Sequence, residues 1–258
     1  MTAVKIIGRH GTGSDNQWCE DLTKQLLNLY NQSQSRPFRV ALSGGNTPLL
    51  LFKYWREHPN LITSADFHFF WVDERMVPAE SDESNYGCAY RTFFGPCNFP
   101  QENLHPITFS PQKEAEEVAL QYSNEVKTFS SRLKRDTLFE LIILGMGDDG
   151  HTSSIFPNMP VATLQDIYIP TVHPVTGVKR VALSFYGIRQ CENLFFHITG
   201  AGKAKMLSCV LEQSKQDAPL PPNTYPAARA MYEAKELSVF LDSPLYMALT
   251  EMWKKTDE

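Results

Sequence analysis

The sequence predicts an α/β fold, a single domain built on a mostly parallel sheet flanked by helices. Apolar strand-like runs alternate with amphipathic helix-like segments, an order typical of parallel strands joined by helical crossovers. The length of 258 residues is sufficient for one large domain with its own core. Because neither an internal repeat nor a linker interrupts the alternation, residues 1–258 are predicted to form one domain.

Seven segments are predicted to be strands. The run at 38–43 is short and mostly apolar, as in a buried strand, and 67–73 is rich in aromatic residues. Segment 138–145 leads directly into a glycine-rich loop. The other predicted strands are 167–172, 180–185, 194–199 and 236–242.

Four segments are predicted to be helices. Ser14 and Gln17 have the spacing of a capping box, and the apolar residues after them fall on one helical face. Ser110 is the expected cap of the helix over 110–133, with Pro111 at its first position. The other helices are expected at 47–58 and 200–213, and the proline-rich segment 217–229 is expected to be a loop.

The composition argues against several classes of protein. A formal net charge of −5 and the lack of a basic run argue against a nucleic-acid surface. No apolar run is long enough to cross a membrane, and the N-terminal residues lack the apolar core of a signal peptide. The five cysteines are scattered, which favours reduced thiols over disulfides or a zinc site. We therefore expect a cytoplasmic protein that binds neither nucleic acid nor membranes.

The first candidate binding loop is SGGNTP at 43–48, between a predicted strand and a helix. Gly44 and Gly45 allow the backbone to approach a ligand closely, and Thr47 is expected to cap the helix. Free N–H groups at the positive end of that helix would attract an anion, to which Asn46 adds an amide donor. A tight turn without a ligand is the alternative interpretation.

The second candidate loop, 72–87, begins with charged residues at the end of a predicted strand. Charges such as Asp73 and Arg75 are costly there unless they are used or solvated. Arg75 is suited to hold a carboxylate, a phosphate or a developing oxyanion, and Asn85 could reach back toward the same pocket. The alternative is an exposed ion pair between Glu74 and Arg75, which would contribute little.

The third candidate loop, within LIILGMGDDGHTSSIFP at 141–157, is open to two interpretations. Gly145, Gly147 and Gly150 have the G-x-G-x-x-G spacing of a dinucleotide-binding loop. Two adjacent aspartates would then lie beside the pyrophosphate, which argues against a nicotinamide enzyme. A catalytic loop is the better interpretation of the same residues.

His151 is the candidate base in that loop. Histidine has an unperturbed pKa near 6.5 and can accept a proton near neutrality. Asp149 is placed to orient it, as a general base requires. The alternatives are a surface histidine, or part of a metal site for which no second cluster of ligands is present.

Two cations complete the set of candidates. Arg180 begins a predicted strand, and Lys203 lies at a strand-to-helix turn, where a cation is unfavourable unless an anion shares the site. A solvated surface lysine is the alternative interpretation of Lys203. His68 and His197 alternate with apolar residues in predicted strands, and we expect them to be structural.

Five segments, in order, resemble those of the 6-phosphogluconolactonase family, which belongs to a larger group that includes glucosamine-6-phosphate deaminases. They are SGGNTP, WVDERMVPAESDESNYG, LGMGDDGHTSSIFP, RVALSFYGI and TGAGKA, and they extend from about residue 40 to 210. The resemblance implies a modified Rossmann-like α/β domain. It also implies hydrolysis of 6-phospho-D-glucono-1,5-lactone to 6-phosphogluconate, a step of the oxidative pentose phosphate pathway, without a metal or cofactor.

The same resemblance implies roles for individual residues. His151 is similar to the general base that activates water, Asp149 to its support, and Arg75 to the cation that steadies substrate charge or the oxyanion. Phosphate or sugar contacts are implied for Gly45, Asn46, Thr47, Arg180 and Lys203, and Gly44, Asp73 and Asn85 are substrate-binding candidates from their positions. The family more often has serine in place of Asn46, but an amide can still donate.

Three alternatives to the hydrolase remain. A deaminase or ketol isomerase would need a glutamate near the histidine, and GHTSSIFP contains none. A non-catalytic phosphosugar-binding module would not need His151, and the nicotinamide enzyme is the third alternative. The expected partner is a small phosphosugar lactone, and the expected assembly is a monomer or a small homo-oligomer.

Overall fold

The structure, a computed structural model, describes residues 4–10, 16–63, 65–161, 165–216, 220–221 and 223–256. The predicted cap Ser14 lies outside these ranges. The strands are β1 (Val4–Ile7), β2 (Phe38–Leu42), β3 (Phe67–Trp71), β4 (Asp73–Arg75), β5 (Leu104–His105), β6 (Phe139–Leu144), β7 (Tyr168–Val172), β8 (Lys179–Leu183), β9 (Cys191–Ile198) and β10 (Glu236–Leu241).

The main sheet has seven strands in the order β1-β10-β9-β6-β2-β3-β5. Every pairing in it is parallel. Every residue of β2 and of β6 is buried, as expected where helices cover both faces of a parallel sheet. The prediction of an α/β fold with a mostly parallel sheet is therefore confirmed.

Helices cover this sheet. They are α1 (Gln17–Gln32), α2 (Asn46–Glu57), α3 (Asn60–Thr63), α4 (Asn85–Ala89), α5 (Ala115–Arg132), α6 (Phe185–Arg189), α7 (Ala204–Gln213), α8 (Pro226–Glu233) and α9 (Ser243–Thr256), with a π-helix at Tyr90–Phe94 and 3-10 turns at Gln101–Asn103 and Ala201–Lys203. Within the described ranges, none of the helices is long and apolar enough to span a membrane.

Two predicted helix boundaries are wrong. The cap of α5 is Glu114 rather than Ser110, because the side chains of Glu114 and Glu117 each accept a hydrogen bond from the other residue's backbone N–H. The segment 217–229, predicted to be a loop, contains the start of α8. Pro226 occupies the first turn of that helix, where a missing N–H is tolerated.

A second sheet, not predicted, has three antiparallel strands in the order β4-β8-β7. The predicted strand 67–73 ends its pairing in the main sheet at Val72, whose N–H donates to the carbonyl of Leu42 at 2.9 Å. The carbonyl of Val72 then accepts from the N–H of Leu183 in the small sheet at 2.7 Å. The chain thus passes from one sheet to the other, and Asp73 and Arg75 belong to β4.

A buried ion pair between Arg39 and Glu140 joins β2 to β6. The side chains are 0% and 1% exposed. Glu140 accepts hydrogen bonds from the backbone N–H of Arg39 at 2.7 Å and from its Nε at 3.0 Å. Nη1 of Arg39 also donates to Ser130 at 2.8 Å and to the carbonyl of Thr137 at 2.9 Å. This network fixes the two central strands, whose carboxyl ends lead into the candidate loops.

Candidate active site

The candidate loops meet in one cleft of about 220 Å³. It lies beyond the carboxyl ends of β2, β6 and β9, where ligands bind in open α/β sheets. Ten predicted site residues line it, namely Gly44, Gly45, Asn46, Thr47, Asp73, Arg75, Asn85, His151, Arg180 and Lys203. Asp149 is not part of the lining and contacts His151 instead. Among the described residues, no three His, Cys, Asp or Glu side chains cluster closely enough to hold a metal ion.

His151 and Asp149 form a hydrogen-bonded pair. Nδ1 of His151 lies 2.6 Å from Oδ1 of Asp149, and the backbone N–H of His151 donates to the same oxygen at 3.1 Å. Burial raises the pKa of Asp149, but the hydrogen bonds and charge of His151 outweigh it and hold that pKa below its usual value. An ionised carboxylate can only accept, so Nδ1–H donates to Asp149 and Nε2 is the ring nitrogen that Asp149 does not engage.

Gly147 makes room for this pair. A β-carbon at Gly147 would lie 2.2 Å from Nδ1 of His151 and 2.8 Å from Oδ1 of Asp149. The backbone N–H of Gly147 also donates to the carbonyl of His151 at 2.9 Å. The glycine spacing of the third loop thus has a structural explanation that needs no dinucleotide.

The dinucleotide interpretation fails on a second observation. In that motif the third glycine begins a helix. Gly150 instead leads into a turn closed by a bridge between Thr152 and Ile155, and residues 151–161 contain no helix. The loop is built around His151.

Arg75 and Arg180 face each other across the β4–β8 ladder. Like charges directly opposite each other destabilise a sheet. Nη1 of Arg75 donates to the carbonyl of Glu83, and Nη1 of Arg180 donates to Ser154 at 3.1 Å. The Nε atom of each arginine is buried without a hydrogen-bond partner in the described part of the chain. Two close cations with donors to spare form a site suited to an anion.

Glu74 is a buried carboxylate, so the predicted alternative of an exposed ion pair with Arg75 is wrong. It is 3% exposed and accepts from the backbone N–H groups of Arg75, Asn85 and Tyr86 at 2.8 Å and from the hydroxyl of Ser84 at 3.0 Å. Burial raises its pKa to about 6, although these hydrogen bonds act in the opposite direction. Glu74 therefore fixes the loop that brings Asn85 to the cleft.

Asn85 packs against Gly44. A β-carbon at Gly44 would lie 1.9 Å from Oδ1 of Asn85, so this position requires glycine. Nδ2 of Asn85 donates to the carbonyl of Asp73 at 2.8 Å. Oδ1 is buried without a hydrogen-bond partner among the described residues and is available to a donor in the cleft.

The helix α2 begins at the cleft without a side-chain cap. Its cap residue is Gly45, with φ of 104°, a conformation that favours glycine. The prediction that Thr47 caps the helix is wrong, because Thr47 lies inside the first turn and its hydroxyl is 2.9 Å from that of Thr199. The first N–H groups of α2 are thus not occupied by a side-chain cap, which suits an anion.

Lys203 is tied to the loop that carries His151. Its Nζ donates to the carbonyl of Met146 at 2.6 Å and lies 3.8 Å from Oδ1 of Asp148. The side chain is 22% exposed, so it is not a freely solvated lysine. Lys203 adds a third cation to the lining of the cleft.

Three further residues, Glu74, Gly147 and Ser154, build the site but are not predicted from the sequence to do so. The sequence indicates Gly147 only as part of the dinucleotide-like glycine spacing. Glu74 lies three residues after the apolar strand β3, and this closeness is the one feature of the sequence that indicates its burial. Ser154 is 0% exposed whereas Ser153 lines the cleft, and nothing in the sequence distinguishes the two serines.

Known proteins resemble this chain in sequence and in fold. The family model "Glucosamine-6-phosphate isomerases/6-phosphogluconolactonase" matches residues 14–239. A 6-phosphogluconolactonase of Aggregatibacter actinomycetemcomitans is 34% identical over 206 residues, covering 78% of this chain and 82% of the relative. One of Haemophilus influenzae is 33% identical over 218 residues, covering 83% and 88%.

Solved structures agree with these relatives. The 6-phosphogluconolactonase from Trypanosoma cruzi superposes with a TM-score of 0.79 at 25% identity, covering 97% of this chain and 98% of that one. The matched family model extends over most of the sequence and includes all the loops of the cleft. The chain therefore belongs to the glucosamine-6-phosphate isomerase/6-phosphogluconolactonase family.

Proposed function

We propose that this protein hydrolyses 6-phospho-D-glucono-1,5-lactone to 6-phospho-D-gluconate, a step of the oxidative pentose phosphate pathway. The observation that carries the proposal is the hydrogen-bonded pair of His151 and Asp149 at a cleft that also contains three cations. A base beside an anion-binding site is what hydrolysis of a phosphorylated lactone requires. The relatives at 34% and 33% identity are 6-phosphogluconolactonases, which supports the same reaction.

In the proposed mechanism His151 is the general base. Asp149 accepts from Nδ1–H, so Nε2 takes a proton from water as its oxygen bonds to the lactone carbonyl carbon. The carbonyl becomes an oxyanion, which then collapses and breaks the bond to the ring oxygen. The imidazolium returns its proton to that oxygen, which becomes the hydroxyl of the open-chain acid.

The cations have separate proposed roles. Arg75, together with nearby backbone amides, stabilises the oxyanion. The uncapped start of α2, Arg180 and Lys203 bind the phosphate. Binding energy from the phosphate, remote from the reacting carbon, would then position the lactone beside His151.

Hydrolysis fits the cleft better than sugar isomerisation. An isomerase needs a carboxylate to move a proton between adjacent carbons. Among the described residues that line the cleft, Asp73 is the one carboxylate. Its Oδ2 already accepts a hydrogen bond from the hydroxyl of Ser154. Nε2 of His151, by contrast, makes no hydrogen bond with the described residues.

The test is the hydrolysis rate of freshly generated lactone, coupled to 6-phosphogluconate dehydrogenase. His151→Ala should lose on the order of 10²–10⁴-fold in rate. The control is His58→Ala, because His58 is an exposed histidine at the end of α2, away from the cleft. A wild-type rate no better than spontaneous opening would refute the proposal, and glucosamine 6-phosphate would be the next substrate to test.

A further inference from the structure

Ser154 is a buried serine whose hydroxyl joins two residues of the cleft. It is 0% exposed. Its hydroxyl donates to Oδ2 of Asp73 and accepts from Nη1 of Arg180 at 3.1 Å. A guanidinium can only donate and an ionised carboxylate can only accept, so the direction of both bonds is fixed. The hydroxyl is therefore a bridge between opposite charges.

The small sheet explains why such a bridge is needed. Arg180 is paired directly with Arg75, and Asp73 lies two residues before Arg75, on the same face of the strand. Burial and the charge of Arg75 lower the pKa of Arg180, whereas Asp73 raises it. Asp73 thus offsets the repulsion between the arginines, and Ser154 provides the hydrogen-bonded connection.

The segment that carries His151 holds Arg180 from a second direction. The guanidinium carbon of Arg180 lies 5.6 Å from the centroid of the Phe156 ring. The same ring lies 4.7 Å from the imidazole of His151, centroid to centroid. Ser154 and Phe156 therefore tie the position of the cation to the segment that bears the base.

We propose that Ser154 is a positioning residue, whose hydroxyl holds the guanidinium of Arg180 where it binds the anionic group of the substrate. The proposal rests on the proposed function in taking that substrate to be a sugar phosphate. Arg180 would hold the phosphate equally in the ground state and the transition state. A displaced Arg180 should therefore raise KM and leave kcat nearly unchanged.

The kinetic test compares Ser154→Ala with a matched buried serine. In Ser154→Ala we expect KM for the lactone to rise about tenfold, the order of one hydrogen bond to a charged group, with kcat within about twofold. Ser184 is also 0% exposed, and its hydroxyl bonds the carbonyl of Asp166 away from the cleft. Ser184→Ala should lower thermal stability without changing KM. An unchanged KM in Ser154→Ala, or a loss confined to kcat, would overturn the proposal.

A calorimetric titration with inorganic phosphate tests the same proposal without turnover. Ser154→Ala and Arg180→Ala should each weaken phosphate binding, and the double variant should bind no more weakly than Arg180→Ala, since the serine acts through the arginine. Additive losses would indicate two independent contributions and would overturn the proposal, as would a wild type that binds no phosphate. Ser154→Cys, close in size but a weaker hydrogen-bonding group, should show the same non-additivity if Ser154→Ala does not fold.

The two proposals fail in different ways. A wild type that binds phosphate with the expected non-additivity but does not open the lactone would refute the hydrolase and support the role of Ser154. A wild type that opens the lactone while Ser154→Ala retains both KM and phosphate affinity would support the hydrolase and refute the role of Ser154.

Discussion

The imidazole of His151 packs on the backbone of Gly147, so closely that a β-carbon there would lie 2.2 Å from Nδ1 and from Cε1. The ring also contacts Phe156, at 4.7 Å between centroids. Nδ1 is bonded to Asp149. These three contacts hold the imidazole in place, and the glycine is one of them.

Gly147→Ala should therefore displace His151. A shift of about 1 Å in a catalytic group can cost roughly 10²-fold in rate, and we expect a loss of that order in kcat. Overpacking should also lower the free energy of unfolding by about 1–3 kcal/mol. The coupled lactonase assay and urea denaturation measure the two effects.

Gly202→Ala is the control for that substitution. A β-carbon at Gly202 would meet no atom within 4 Å, and the residue does not line the cleft. Its activity and stability should remain close to those of the wild type. Equal losses in the two alanine variants would show that the contact with His151 is not the cause.

Glu74 should make stability depend on pH in mild acid. Burial raises its pKa from 4.5 to about 6 in the folded protein, so folding favours the protonated form. Its favourable contribution is complete below pH 4.5 and is lost as the pH rises through about 6. The rise of the pKa from 4.5 to about 6 corresponds to about 2 kcal/mol in the free energy of unfolding.

Glu74→Gln removes this titration. The free energy of unfolding of the wild type minus that of Glu74→Gln should fall by about 2 kcal/mol as the pH rises from 4.5 to above 6. Denaturant unfolding at several pH values measures it. Glu251→Gln, an exposed glutamate of α9, controls for the loss of one charge. A difference that is constant with pH would contradict the expectation.

The parallel sheet could be predicted because its strands carry local signals. Runs such as 38–43 and 138–145, apolar except for Arg39 and Ser43 in one and Glu140 in the other, mark strands buried on both faces, and the loops after them lie at one edge of such a sheet. Residues 44–47 and His151 follow those two strands, which is why these predicted positions converge on one cleft.

Features that depend on distant contacts could not be predicted. The end of β3 at Trp71 is set by pairing of the next residues with β8, more than one hundred positions away in the sequence. Whether Ser153 or Ser154 lies in the cleft depends on where Asp73 and Arg180 are placed by the small sheet. The strand β1 (Val4–Ile7) has four residues, too few for a periodic signal.

The buried ion pair of Arg39 and Glu140 should be needed for stability but not for the reaction. Replacing one partner leaves an uncompensated buried charge, so Arg39→Met should lower the free energy of unfolding by about 3–5 kcal/mol. Arg39→Met combined with Glu140→Leu should recover much of that loss, since an apolar pair requires no compensation. Urea denaturation measures both, and kcat of the folded fraction should not change.

A double variant less stable than Arg39→Met would contradict that account. It would mean that Glu140, which also accepts from the backbone N–H of residue 39 at 2.7 Å, contributes more to stability than its uncompensated burial costs. In that case this hydrogen bond, rather than charge compensation, would hold β2 and β6 together.

Asp149→Asn should keep the base His151 in the site but change which of its ring nitrogens carries the proton. The carboxylate can only accept, which keeps the proton on Nδ1 of His151. An asparagine can donate from its amide instead and place the imidazole proton on Nε2, the nitrogen that must accept the proton of water. We expect kcat to fall by about 10²–10⁴-fold with KM within a few-fold, because the substrate-binding cations are untouched.

The pH profile gives the same substitution a second readout. Folding lowers the pKa of Asp149, so the carboxylate remains ionised through mild acid and stabilises the imidazolium formed in the reaction. Without that charge the imidazolium formed in the reaction loses its partner, and the acid limb of the kcat profile should move to lower pH in Asp149→Asn. Wild-type activity that is flat from mild acid to neutrality, or an acid limb that the substitution does not move, would show that His151 is not the titrating base.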